Sequence, residues 1–264
     1  MPTSTATIGP ARIAVWLARG ARDLGRAPLA SLAHGLVFTI VALAILGIGW
    51  NHGWLLAGAF TGFVLPAPAL ATGLYELSRR LERGDSATVT DAIGAWRAAS
   101  PALLRFGALL AAIGTAWVGF CWLVVRASAG SGAAAAAASP EGGVAALLRL
   151  FADERGAALF VAWIVAGGLV AAIVFAIGVV SVPMLLERRV TLRDALLASV
   201  RVVGEHPFTM ALWAAVIMAA TLAAALSVVG WVLVVPLLGH ASWHAYRDLV
   251  GEGAPPAGAP SAAR

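Results

Sequence analysis

The stretch ERRVTLRDALLASVRVVGEHP, Glu187 to Pro207, stands between two long apolar runs. Threonine followed three residues later by an acid, Thr191 to Asp194, is a helix start signal, because the hydroxyl and the carboxylate can accept amide protons that a first turn leaves unpaired. Leu192, Leu196, Val200 and Val203 then recur at helical spacing, so the segment predicts an amphipathic helix that ends at Pro207. The stretch ELSRRLERGDSATVTDAIGAWRAASP, Glu76 to Pro101, keeps the same order. Glu76 answers to Glu187, Arg79 and Arg80 to Arg188 and Arg189, and Thr88 to Asp91 repeats the start signal, with Val89, Ala92, Ile93 and Trp96 as the apolar face. The N-terminal segment follows the plan with Ile13, Trp16, Leu17 and Leu24 on one face, Arg12, Arg19, Arg22 and Arg26 as its basic residues, and Pro28 as the stop. Pro68, Pro183 and Pro236 add an echo inside the intervening apolar runs. The pattern implies three units of one design.

Between these segments the chain is greasy. Of 264 residues, 61% are hydrophobic and 12% charged, and the mean hydropathy of +0.89 lies far outside the range of a soluble domain. A bilayer core about 30 Å thick needs roughly 20 apolar residues of helix. Six runs meet that length, at about 32–50, 53–75, 103–126, 157–186, 208–228 and 230–247. The first two are joined by Trp50-Asn51-His52-Gly53 and the last two by a turn near Gly230, which predicts tight hairpins. The expected fold is all-α, a polytopic membrane protein whose six transmembrane helices form three hairpins, each preceded by a cytoplasmic amphipathic interfacial helix. Residues 1–31 form the cytoplasmic N-tail and do not read as a cleavable signal peptide. Residues 32–250 form the membrane domain and 251–264 a disordered C-tail. The outer segment 128–156, with its run SAGSGAAAAAASPEGG, reads as a flexible linker.

All eighteen basic residues are arginine. Fifteen fall in the N-tail, the segments 76–105 and 187–207 and the C-tail, and only Arg126, Arg149 and Arg155 fall on the other side. Basic residues in short loops stay inside, so both termini are expected in the cytoplasm. The positive excess would face anionic headgroups of the lipid bilayer and not a nucleic acid. Tryptophans agree with an interfacial belt, with Trp50, Trp54 and Trp231 at the outer turns and Trp16, Trp96 and Trp243 near the inner face.

The stretches GLYELSRRLERGD, VVSVPMLLERRVTLRDAL and PLLGHASWHAYRDLV resemble an uncharacterised family of predicted bacterial integral membrane proteins, classed as a domain of unknown function. The resemblance runs from about Trp16 to Val250. Some members carry a cytochrome c oxidase subunit label, which implies at most a link to a respiratory complex and transfers no catalytic residue.

A catalytic haem-copper subunit needs about six histidine ligands over several spans. The chain has five histidines, with His52 in the outer turn and His206 in a cytoplasmic segment. His34, His240 and His244 remain, and a single b-type haem on His34 and one of the others is the least favoured reading. The preferred one makes His240, Trp243, His244, Tyr246, Arg247 and Asp248 the polar and aromatic end of the sixth span, settled at the headgroups. Glu76 and Glu187 are expected to pair with Arg79, Arg80, Arg188 and Arg189, tying span ends to interfacial helices. Asp91 and Asp194 are expected to start helices. No acid or arginine stands mid-span, which disfavours ion-coupled transport, and neither a phosphate loop, a nucleophile elbow nor a cysteine pair is present. The expectation is a protein without enzymatic activity, metal or cofactor that assists assembly or regulation of a larger membrane complex. A passive small-molecule or lipid carrier and a small haem protein remain as alternatives.

Overall fold

The computed structural model describes residues 8–49, 71–128, 154–227 and 229–251. Those residues form ten helices: α1 (Arg12–Arg26), α2 (Pro28–Gly49), α3 (Thr72–Glu82), α4 (Val89–Arg97), α5 (Pro101–Ser128), α6 (Glu154–Gly178), α7 (Ser181–Glu187), α8 (Leu192–Glu205), α9 (Pro207–Ala225) and α10 (Trp231–Val250). No strand occurs among them. Most of the second expected span, the turn at 50–53, nearly all of the outer linker and the C-tail lie outside the described residues.

Three of the long helices begin with proline, α2 at Pro28, α5 at Pro101 and α9 at Pro207. Proline suits a first turn, where its missing N–H is not needed, and it cannot continue the preceding amphipathic helix. Thus α1, α4 and α8 each end where a long apolar helix starts. The start signals are realised in the two internal cases. Thr88 Oγ1 accepts from Asp91 N at 3.3 Å while Asp91 Oδ2 accepts from Thr88 N at 2.9 Å, and Thr191 Oγ1 accepts from Asp194 N at 3.2 Å. The alanine after each acid, Ala92 or Ala195, is fully buried.

Among the described residues, four helical stretches are long and apolar enough to cross a membrane: Pro28–Ile48, Pro101–Val124, Ala157–Glu187 and Pro207–Ala225. They turn large aliphatic side chains outward, among them Val37, Leu104, Val165, Leu169 and Leu222. Lipid is the solvent that suits such a surface. The expected sixth span is a single helix, α10, but it is not one of these four, because His240, His244, Arg247 and Asp248 interrupt its second half. The fourth expected span is interrupted as well, at Val179 and Val180, before Pro183 in α7. Ser199 of α8 repairs the interruption, donating to Ala176 O at 2.7 Å and accepting from Val180 N at 3.2 Å. A break in a buried helix leaves backbone groups that need such a partner.

The centre of the structure is α10, which packs against α1, α2, α3, α7 and α9. Two glycines set its distance from the first two helices. A Cβ on Gly35 of α2 would run into the backbone of Val232, and one on Gly20 of α1 would stand 2.7 Å from Ala241 N. Together α1 and α2 run antiparallel to α10, with Arg12 beside Asp248, Gly20 beside Ala241, Gly35 beside Val232 and Phe38 against Trp231.

This arrangement corrects the expected tryptophan belt. Among its described members, Trp16, Trp231 and Trp243 are buried among helices rather than laid at headgroups and Trp96, 41% exposed, is outward, while Trp50 and Trp54 lie outside the described residues. Trp16 meets Trp213 edge to face with centroids 5.7 Å apart. Likewise the buried face of α1, Ile13, Trp16, Gly20 and Asp23, lies on protein and not on lipid. Tryptophan at a predicted interface position gains more from close packing when a neighbouring helix supplies an acceptor, as Asp248 does for Trp16 at 2.7 Å.

Candidate functional site

The second half of α10 carries the densest polar chemistry among the described residues, and helix ends supply its partners. His240 is fully buried. Its Nε2 lies 2.8 Å from Ser31 Oγ of α2 and its Nδ1 lies 2.7 Å from Ser78 Oγ of α3. One turn on, His244 Nε2 stands 2.8 Å from Asp23 Oδ2 of α1, and its Nδ1 stands 3.7 Å from Glu82 Oε1 at the end of α3. Arg247 reaches Glu82 at 3.4 Å and Glu187 of α7 at 2.8 Å, while Tyr246 donates to Glu187 Oε2 at 2.5 Å. Asp248 holds Arg12, Trp16 and Arg19 of α1. Residues of one helical face thus bind the ends of α1, α2, α3 and α7 together.

Charge in this cluster follows its surroundings. Burial pushes the Asp23 carboxyl up, but bonds to His244 and Ser78 and the charges of His244 and His240 outweigh it and hold Asp23 below the usual carboxylate range. Burial also pushes Glu82 up, and there Arg247 does not offset it, so Glu82 sits above an ordinary glutamate. At the surface, bonds from Thr88 hold Asp91 below its usual value, with Arg80 assisting.

The expected site residues divide into three groups. His240, His244, Arg247, Asp248 and Glu187 converge on the cluster, and Trp243 packs beside it against Tyr75 and Tyr246 with ring centroids 6.5 and 5.5 Å apart. Trp243, His244 and Tyr246 are therefore buried, which corrects the reading of them as headgroup anchors. A second group serves single helix joints. Glu76 is buried and pairs with Arg79 within α3 at 2.6 Å, Arg80 joins α3 to Asp91 of α4 at 3.2 Å, Arg188 lies 3.5 Å from Glu187, and Asp194 caps α8. The third group is His34 and Arg189. His34 Nδ1 bonds Ala30 O at 2.9 Å and its Nε2 edge packs on Gly73. His34 and His240 are each bonded to other partners. Arg189 is exposed.

Asp23, Ser31, Ser78 and Glu82 were not expected. Asp23 had a usable signal: it continues the Ile13, Trp16, Gly20 spacing, so an acid lies on the buried face of α1. The serines gave none, since a hydroxyl in an apolar helix usually back-bonds to its own backbone, as Ser31 does to Ala27 O at 2.7 Å. Among the described residues no group of three or more His, Cys, Asp and Glu is arranged to hold a metal ion. No curated protein and no solved structure matches the chain. The family described as predicted integral membrane protein, DUF2189, matches residues 55–187, a range that includes the ends of α3 and α7 and stops short of α10. The chain belongs to this family of predicted integral membrane proteins, whose function is unknown.

Proposed function

We propose that the chain is a non-catalytic, cofactor-free protein of the bacterial inner membrane that crosses it six times as three hairpins, with both termini cytoplasmic, and assists assembly or regulation of a larger membrane complex. The observation that carries this reading is that His240, His244, Tyr246, Arg247 and Asp248 of α10 are each paired with side chains of neighbouring helices. A haem on His240 would require the ring to give up a serine. The paired cluster also supports one orientation. It joins the starts of α1 and α2 to the ends of α3, α7 and α10, so these termini share one side, and Arg22, Arg26, Arg97, Arg193 and Arg201 of the amphipathic helices α1, α4 and α8 are exposed. Basic residues on one side of a bundle stay in the cytoplasm and meet anionic headgroups.

Purification of the tagged full chain in mild detergent, followed by mass spectrometry and an absorption spectrum, tests the function. A stoichiometric membrane-protein partner and no Soret band is the expected result; a monodisperse chain without partner, or a haem spectrum, overturns it. Reporters fused after residues 51, 102, 140, 206 and 264 test the topology. The expected extracellular signals are those at 51 and 140 only.

A further inference from the structure

A five-residue pattern occurs on both internal amphipathic helices: IGAWR, Ile93 to Arg97 in α4, and LASVR, Leu197 to Arg201 in α8. In each, two large apolar residues three apart precede an arginine, and a small residue stands third. Both helices place the pattern alike. Ala95 and Ser199 are buried, while Ile93, Trp96, Leu197 and Val200 are 44%, 41%, 53% and 49% exposed, and Arg97 and Arg201 are exposed with them. Exposed Arg193 stands one turn before Leu197 on the same face of α8. Among the described residues no ion pair engages Arg97, Arg193 or Arg201, whereas Arg12, Arg79, Arg80, Arg188 and Arg247 are all paired.

Apolar side chains beside unpaired guanidinium groups suit the boundary where acyl chains meet anionic headgroups. Water would solvate the arginines and leave the apolar groups exposed, and the hydrocarbon core would do the reverse. At the boundary an arginine lays its stem along apolar surface and reaches a phosphate with its planar fork. Chain continuity sets the faces at that depth. Three residues separate α4 from α5 and one separates α8 from α9. Both α5 and α9 are apolar enough to cross a membrane, and their first turns expose Leu104 and Phe208. Helix α1 differs: its exposed positions hold alanine, glycine and arginine, with no large apolar side chain among them.

We propose that α4 and α8 are lipid-binding helices seated in an anionic phospholipid surface, with Ile93, Trp96, Leu197 and Val200 below the phosphates and Arg97, Arg193 and Arg201 among them. This rests on the reading that basic helices of the bundle meet anionic headgroups; it names the faces that do so and a consequence. On α8 the residue that turns inward between Leu197 and Val200 is Ser199, which donates to Ala176 O at 2.7 Å and accepts from Val180 N at 3.2 Å across the break between α6 and α7. Lipid that holds the outer face of α8 therefore holds this hydroxyl in the break. The anionic content of the leaflet sets how often the break opens.

The test places the full chain in nanodiscs of phosphatidylcholine, with or without phosphatidylglycerol. A nitroxide is attached at Ile93→Cys, Leu197→Cys or Ala18→Cys in a Cys121→Ser background. Its relaxation by oxygen, which concentrates in hydrocarbon, is compared with that by a water-soluble nickel chelate. The labels at 93 and 197 are expected to favour oxygen, and the label at 18 on α1 to favour nickel. In the unlabelled chain, exchange of the Val180 amide slows about tenfold with phosphatidylglycerol, within reach of two arginines worth roughly fivefold each at an anionic surface. Arg193→Gln with Arg201→Gln removes that difference. Labels at 93 and 197 that meet nickel freely overturn the proposal, as do labels shielded from both reagents, the signature of a protein or a second copy on that face. Equal Val180 exchange in the two lipids also overturns it, and this measurement decides if a labelled variant fails to fold. Both leaflets of a nanodisc share one composition, so a reversed orientation in cells or a missing partner complex leaves these readings unchanged.

Discussion

The indole N–H of Trp16 donates to Asp248 Oδ2 at 2.7 Å, across 232 residues of chain. The same carboxylate holds Arg12 and Arg19, so one acid near the end of α10 fixes the start of α1. Both arginines are about two-fifths exposed and add little through charge alone. The buried indole is different, because losing its acceptor leaves a desolvated donor. Asp248→Ala is therefore expected to destabilise the protein by about 1–3 kcal/mol, whereas Arg19→Ala costs under about 1 kcal/mol. Thermal unfolding in detergent, followed by tryptophan fluorescence, checks the ranking.

Gly35 gives a steric prediction. A methyl group there would meet the Val232 backbone, and a backbone cannot rotate out of the way as a side chain can. Gly35→Ala should cost about 1–3 kcal/mol through forced separation of α2 and α10, while Gly47→Ala, with nothing near its added Cβ, should be neutral or better. Yields of folded protein and unfolding midpoints of the two variants provide the comparison.

Two carboxylates of the cluster should give stability opposite dependences on pH. Asp23 is held below its unfolded value, so its contribution is present above that value and is lost as pH falls through the folded one. Asp23→Asn should flatten the acid side of the unfolding profile. Glu82 is raised above its unfolded value, so its contribution is present at low pH and is lost as pH rises through the folded value. Glu82→Gln should gain stability relative to the parent between pH 4 and pH 7, read as the difference in melting temperature at each pH.

The paired caps predict matched losses. Removing a threonine cap costs about 0.5–2 kcal/mol, and Thr88→Ala and Thr191→Ala should each fall in that range. Circular dichroism alone will not resolve so few residues, but amide exchange over 89–97 and 192–205 will.

What the sequence disclosed and what it hid divide by distance along the chain. Thr191 and Asp194 are three residues apart, and the cap they form is a local bargain between a hydroxyl and the first free amides, so spacing revealed it. The apolar long helices were legible for the same reason: a continuous greasy run carries its own signal. His244 and Asp23 are 221 residues apart, and nothing in a linear pattern pairs them. The burial of Trp243 and Tyr246 was misjudged because an aromatic beside charges at a span end looks alike whether lipid or another helix covers it. Glu187 was expected to answer to the arginines beside it; it answers chiefly to Tyr246 and Arg247, since α7 ends against α10.

The antiparallel seating of α1 and α2 on α10 has a consequence for biosynthesis. Trp16 and Ser31 leave the ribosome 232 and 209 residues before Asp248 and His240, the partners they meet. Helices α1 and α2 must therefore wait, half-seated, through that interval before α10 arrives. Late-made α10 acts as the closing piece, and a nascent chain stalled before it would expose the very faces that the finished protein hides.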